Sequence, residues 1–266
     1  MSIDLTDRSI QRLVVTGHPN HELAIFGFVQ RARPHLLFLT DGGGEERVDE
    51  SRRALVRIGL LDRAKFLGWR EPALYDALLA KNIDVFARIV DEVRNELLAI
   101  RPRQVICESI ELYNPLHDIT LPIVRAAAAD FDDIEIIEFP LIAQEPADNE
   151  RYRVQRFPEH RTSTALALTP AELDLKLQMR DAEYRALHRT TGDVVDRVTR
   201  ECAGTEVFAR SIDALPVPGR DHVLRYEWRA RLLHARGEIE DVITFADHFV
   251  PLATAITTRS LRESRR

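Results

Sequence analysis

The sequence predicts an α/β protein: a Rossmann-like, mostly parallel sheet with helices on both faces and a C-terminal extension. Three observations predict it. From the start to about residue 140, short β-branched or leucine-rich runs alternate with longer segments of helical spacing, the pattern of βαβ units. Most of the short runs are near-continuously apolar, as strands covered on both faces are. A chain of 266 residues, 45% hydrophobic and 30% charged, has the ordinary globular balance and enough length for a sizeable core.

The first strand is expected over residues 12–16, followed by a helix over 21–33. A second strand at 35–40 leads through a glycine-rich loop to a helix over 49–60, where Ala54, Leu55, Ile58 and Leu61 form one apolar stripe and Gly59 supplies a stop. The third strand, 64–67, precedes a long helical stretch at 73–100. Strands at 103–108 and 134–139 flank a helix at 118–130. Beyond Phe139 the alternation fades into a stretch punctuated by Pro140, Pro146, Pro158 and Pro170. Thr169-Pro170-Ala171-Glu172 then reads as N-cap, first-turn proline and capping-box acid, starting a helix over 170–188. From about Thr190 the pattern is mixed and assigns no element, and Trp228 and Tyr226 read as core or interface aromatics, with the wall of a pocket as the alternative. Residues 1–140 form the recognisable βα core and 141–266 a less regular remainder of the same domain.

Charge and cysteine usage exclude several classes. The 37 basic and 43 acidic residues leave a net charge of −6, the wrong sign for a protein built to neutralise phosphates, so no nucleic-acid partner is expected. The arginine-rich stretch 259–266 reads as a frayed end. Two cysteines, Cys107 and Cys202, are too few and too far apart for a disulfide framework or a cysteine zinc site. Asp4 and Asp7 stand where an export signal would carry basic residues, and no apolar run approaches the ~18 residues that span a bilayer. A cytoplasmic protein with no membrane partner is the expectation, with association into a homo-oligomer left open.

In an open parallel sheet, ligands gather beyond the carboxyl ends of the strands. The first strand runs into Gly17-His18-Pro19-Asn20-His21-Glu22, the second into Thr40-Asp41-Gly42-Gly43-Gly44, and the fourth through Glu108 and Glu111 to Asn114-Pro115-Leu116-His117. His18 and His21, spaced H-x-x-H at a strand-to-helix turn, with His117 from a later loop, match the three-histidine set that zinc accepts. Ordinary turn and helix-end histidines are the alternative. Gly42-Gly43-Gly44 reads either as a backbone cradle for a phosphate or sugar or, more ordinarily, as a flexible turn. The lone Gly17 falls short of the dinucleotide fingerprint, and no nucleophile-elbow, P-loop or CxxC motif is present.

These segments also carry a family resemblance. Val14-Val15-Thr16-Gly17-His18-Pro19-Asn20-His21-Glu22 resembles the N-terminal A-H-P-D-D-E signature of the PIG-L/LmbE-like N-deacetylases. Thr40-Asp41-Gly42, with the helix containing Glu50, Arg53, Ala54 and Gly59, is similar to that family's second strand, loop and helix. Asn114-Pro115-Leu116-His117 resembles its later H-P-D-H, Phe139-Pro140-Leu141 its next strand end, and Lys176 a lysine that often follows.

The resemblance implies a zinc-dependent amidase without a dinucleotide, binding one Zn2+ through His18, His21 and His117 and acting on a small-molecule substrate. Histidine for aspartate at position 21 retains a ligand and removes a negative charge. Two departures bear on catalysis. The family's general base is an aspartate at the position of Asn20, which cannot accept a proton at neutral pH. Asn114 stands where the family has a histidine near the developing oxyanion, and its amide still donates. Glu111, Glu108, Asp41 and Glu22 are the carboxylates available to replace the base; Glu111, on the loop that delivers His117, is the expected one, with Asp41 and Glu22 expected at the substrate. Three readings follow: an N-deacetylase of an amino sugar or related polar metabolite, a metal-dependent enzyme of the same scaffold with other chemistry, and a non-catalytic ligand-binding member.

Overall fold

The computed structural model describes residues 3–145, 148–186, 189, 203–212, 214–216, 218 and 223–263. Cys202, His222, the end of the helix expected over 170–188 and the last residues of the arginine-rich stretch lie outside them.

Five strands run parallel: β1 (Arg12–Thr16), β2 (His35–Thr40), β3 (Ala64–Trp69), β4 (Gln104–Glu108) and β5 (Glu135–Phe139). A separate antiparallel pair, β6 (Ile142–Glu145) and β7 (Asp148–Val154), follows. Two further strands, β8 (Thr164–Ala167) and β9 (Thr205–Arg210), extend the main sheet antiparallel. The order is β3-β2-β1-β4-β5-β9-β8. The chain winds outward from β1 in one direction and from β4 in the other, so a crevice opens between their carboxyl ends.

Alternation along β1 shows why the sheet is covered twice. Leu13 and Val15 face a core shared with α3 (Glu71–Leu79), α4 (Ile83–Ile100), α6 (Thr120–Ala128) and the C-terminal helix, while Val14 faces Leu36, Phe38 and Ile106 in the opposite core with Phe28, Val29 and Leu55. Phe28 and Val29 belong to α1 (Phe26–Ala32) and Leu55 to α2 (Glu45–Arg57). Further α-helices among the described residues are α5 (Pro115–Asp118), α7 (Pro170–Ala182), α8 (Arg225–Ala235) and α9 (Val250–Glu263).

Several expected elements change shape. The helix expected over 73–100 is two helices, α3 and α4, separated where Lys81 takes a left-handed conformation (φ 52°) and Asn82 N–H returns to the Ala77 carbonyl. The stretch expected to start a helix at His21 begins as a 3-10 turn over His21–Ile25 before α1. The helix expected at 118–130 is preceded by α5. The capping box forms as expected: Thr169 Oγ1 accepts from Glu172 N, and the Glu172 carboxylate accepts from Thr169 N. Trp228 is exposed, not a core aromatic. No described helix is long and apolar enough to cross a membrane.

Candidate metal centre and active site

The carboxyl ends of β1 and β4 are hydrogen-bonded neighbours, so the loops that follow them meet. His18 and His21 come from the turn after β1 and His117 from α5. Their ring centroids lie 4.9, 4.7 and 4.4 Å apart, and one ligand nitrogen from each lies within 4.8 Å of the others. His18 and His21 are buried and His117 half-buried. Burial pushes all three imidazoles below their ordinary pKa, His21 and His117 well below, so they are neutral at neutral pH, the form that ligates metals.

Carboxylates hold two of the three rings. Glu108 Oε1 lies 2.7 Å from His21 Nδ1 and also accepts from Gly17 N at 2.9 Å. Glu71 Oε1 lies 2.6 Å from His18 Nε2. The Glu108 hydrogen bond fixes the His21 tautomer and leaves its other nitrogen the lone pair, the usual outer support of a metal histidine, while Glu71 stands in close contact with His18. Nδ1 of His18 and Nδ1 of His117 are buried without a hydrogen-bond partner among the described residues. Three neutral imidazoles, two of them braced by carboxylates and two with buried unpartnered nitrogens, fit a divalent N-ligated ion such as zinc. Gly17 is required by close approach: a Cβ there would stand 2.8 Å from Thr120 Oγ1 and 3.2 Å from Glu108 Oε2.

Asn20 sits behind this cluster in a left-handed conformation (φ 78°). Its Oδ1 accepts from Arg47 Nε at 2.9 Å and its Nδ2 donates to the Arg47 carbonyl and to Ser51 Oγ. Arg47 donates further to the Pro19 and Gly42 carbonyls, so a guanidinium is clamped against the loop that carries His18 and His21. Asn114 Oδ1 caps α5 by accepting from Leu116 N and also accepts from Tyr75 Oη at 3.3 Å. That cap orients the helix turn bearing His117.

Other expected site residues are committed elsewhere. Glu111 does not have the water-facing arrangement expected of it: its Oε2 accepts from the backbone N–H of Leu141 and Ile142, and burial pushes its pKa up to about 8. The loop does fold back to deliver His117, but its glutamate ties down the chain after β5. Glu22, expected at the substrate, is fully buried and accepts from Tyr184 Oη at 2.8 Å, a core contact. Asp41 Oδ1 accepts from Gly43 N and Glu71 N, and so braces the loop beside Glu71. The amides of Gly42, Gly43 and Gly44 bond to Thr40 and Asp41 of their own loop, which makes the triple glycine a turn and not a cradle.

Glu71 and Arg47 were not singled out from the sequence. Glu71 had a positional signal, since it follows β3 at the same sheet edge as the other loops. Arg47 had none: it lies on the first turns of α2 and reaches the site only because that helix packs over the β1 turn.

Fold and site together define an α/β protein with a three-histidine pocket at the switch point of its sheet. Solved deacetylases share this fold. The A40926 pseudoaglycone deacetylase Dbv21 aligns with a TM-score of 0.56 at 14% identity, over 79% of this chain and 100% of its own. A deacetylase of the teicoplanin biosynthesis pathway aligns at 0.54 and 13%, over 77% of this chain and 100% of its own. A conserved protein from Thermus thermophilus aligns at 0.51 and 20%, over 79% of this chain and 98% of its own. The chain therefore has the fold that its resemblance to the PIG-L/LmbE-like deacetylases implied. No protein-family model and no curated protein matches the sequence.

Proposed function

We propose that the chain is a cytoplasmic, metal-dependent N-deacetylase of the PIG-L/LmbE type, releasing an acyl group from an amino sugar or related polar metabolite. The observation that carries this reading is the gathering of His18, His21 and His117 at the sheet's switch point, two of them backed by Glu71 and Glu108. His18, His21 and His117 would hold one zinc ion, which supplies Lewis acidity toward the acyl carbonyl and acidifies a water.

The protein's own groups do the rest. Asn114, its Oδ1 occupied by the α5 cap, turns its Nδ2–H donors to the carbonyl oxygen as negative charge develops there. Asn20 and Arg47 hold the β1 turn in place. Glu71 takes the proton of the attacking water: its side chain is 17% exposed and reaches the cluster, whereas Glu108 is fully buried. Burial pushes Glu71 up, but the hydrogen bond from His18 and the charge of Arg47 outweigh it and hold the carboxyl below its ordinary range, so it is ionised and able to accept.

Acetate release across a panel of N-acetyl amino sugars, with the metal content of the same preparation measured, tests the reading. The expected outcome is turnover that falls about 10²- to 10⁴-fold in Glu71→Gln. Absence of acetate release by a metal-loaded preparation would favour different chemistry on the same scaffold, the reading that Asn20 in the base position supports.

A further inference from the structure

A cavity of about 730 Å³ opens between α3, the loop leaving β4 and α8. None of the three histidines lines it, but its walls lie against the segment that carries His117. The ring of Tyr113, one of its walls, lies 6.2 Å from the ring of His117, and Tyr75, another wall, donates its hydroxyl to Asn114. A substrate whose acyl group reaches the three histidines therefore has this hollow as the space for the rest of its body.

We propose, on the deacetylase reading above, that this cavity is the subsite for the non-reacting part of the substrate and that this part is an uncharged, flat ring system such as an aryl group. Tyr75, Tyr113 and Tyr226 present rings from three different segments, with Leu233 and Ile243 closing the apolar lining. Aromatic walls of this kind reward flat apolar faces by stacking and edge contacts. Arg225 lies over the Tyr113 ring, 4.7 Å from its centroid, and covers that face, so stacking falls to Tyr75 and Tyr226. The rim carries both signs of charge, Arg225 and Arg229 against Asp76, Glu240 and Asp241, and the single negative charge in excess disfavours an anion and pulls only weakly on a cation.

Binding measured by calorimetry separates this subsite from the chemistry. The probes are the methyl and para-nitrophenyl glycosides of N-acetylglucosamine, identical in the acyl group and different only in the ring. The aryl glycoside is expected to bind at least about 10-fold more tightly, and Tyr226→Ala and Leu233→Arg are each expected to abolish that difference. Leu233 is half-buried on α8, so its variant keeps the test available where the tyrosine variant fails to fold. Equal affinities, no measurable binding of either probe, or a preference that survives in both folded variants would overturn the proposal. Acetate release is read in parallel. An aryl preference without acetate release would uphold the subsite and defeat the deacetylase reading, and release without any preference would do the reverse.

Discussion

Asn20 shows how a single atom exchange redirects a site. In place of the aspartate that the resembled family carries, the chain has an amide whose oxygen takes a hydrogen bond from Arg47 Nε and whose nitrogen serves Ser51 and a carbonyl. Asn20→Asp puts a carboxylate beside that guanidinium, which keeps it ionised, and in a Glu71→Gln background it should raise acetate release about 10²- to 10⁴-fold. An unchanged rate in the acyl-release assay would mean that position 20 no longer faces the reaction. Glu111 makes a different point. Its carboxyl prefers to keep a proton in the folded state, up to about pH 8 against the ordinary 4.5, because burial outweighs the two backbone donors. The folded state thus binds more protons than the unfolded chain across that window, and stability falls as pH rises from about 4.5 to about 8. Urea unfolding at stepped pH should show the slope in the parent and a flatter profile in Glu111→Gln, whose carbonyl still accepts from Leu141 and Ile142.

At the level of elements, the C-terminal half supports the first helix of the core. Glu206 on β9 accepts from Gly27 N and Phe28 N at the start of α1, and Lys176 on α7 donates to Glu206 and to the Ala24 carbonyl at 2.8 Å each. Lys176 and Glu206 are both almost fully buried, so removing the cation leaves a desolvated carboxylate. Lys176→Met should cost about 3–5 kcal/mol in denaturant unfolding, and adding Glu206→Gln should recover part of that loss. This lysine was visible in the sequence as a family feature, but its partner was not, because Glu206 stands 30 positions further on, in a stretch whose pattern assigns no element. The central parallel strands β1, β2 and β4 were legible because both of their faces are buried and their runs are apolar. The split between α3 and α4 was not, since no glycine or proline marks it and Lys81 supplies the left-handed residue.

At the scale of the whole molecule, the three histidines come from segments about a hundred residues apart, and a metal ion would link the β1 turn to α5. An ion that binds only the folded state raises its stability with concentration. Zinc added to chelator-treated protein should therefore raise Tm, with elemental analysis giving one ion per chain, and His117→Ala should abolish the shift while leaving the metal-free Tm nearly unchanged. A parent protein whose Tm ignores zinc would remove the metal from the reading.

The sequence alone determined the alternation of strands and helices, the β1 and β2 boundaries, the capping box of α7 and the three candidate ligands. These are local signals: periodicity, cap chemistry and residue types beside a strand end are written in consecutive residues. Only the tertiary structure decided which carboxylates serve the site. Glu111 and Glu22, close in sequence to the histidines, turn to backbone and core partners, whereas Glu71 and Glu108 brace His18 and His21. A side chain's role follows from what packs against it, and in a parallel sheet the neighbours at a strand end come from crossover connections of many residues, a distance over which sequence spacing carries no information about contact.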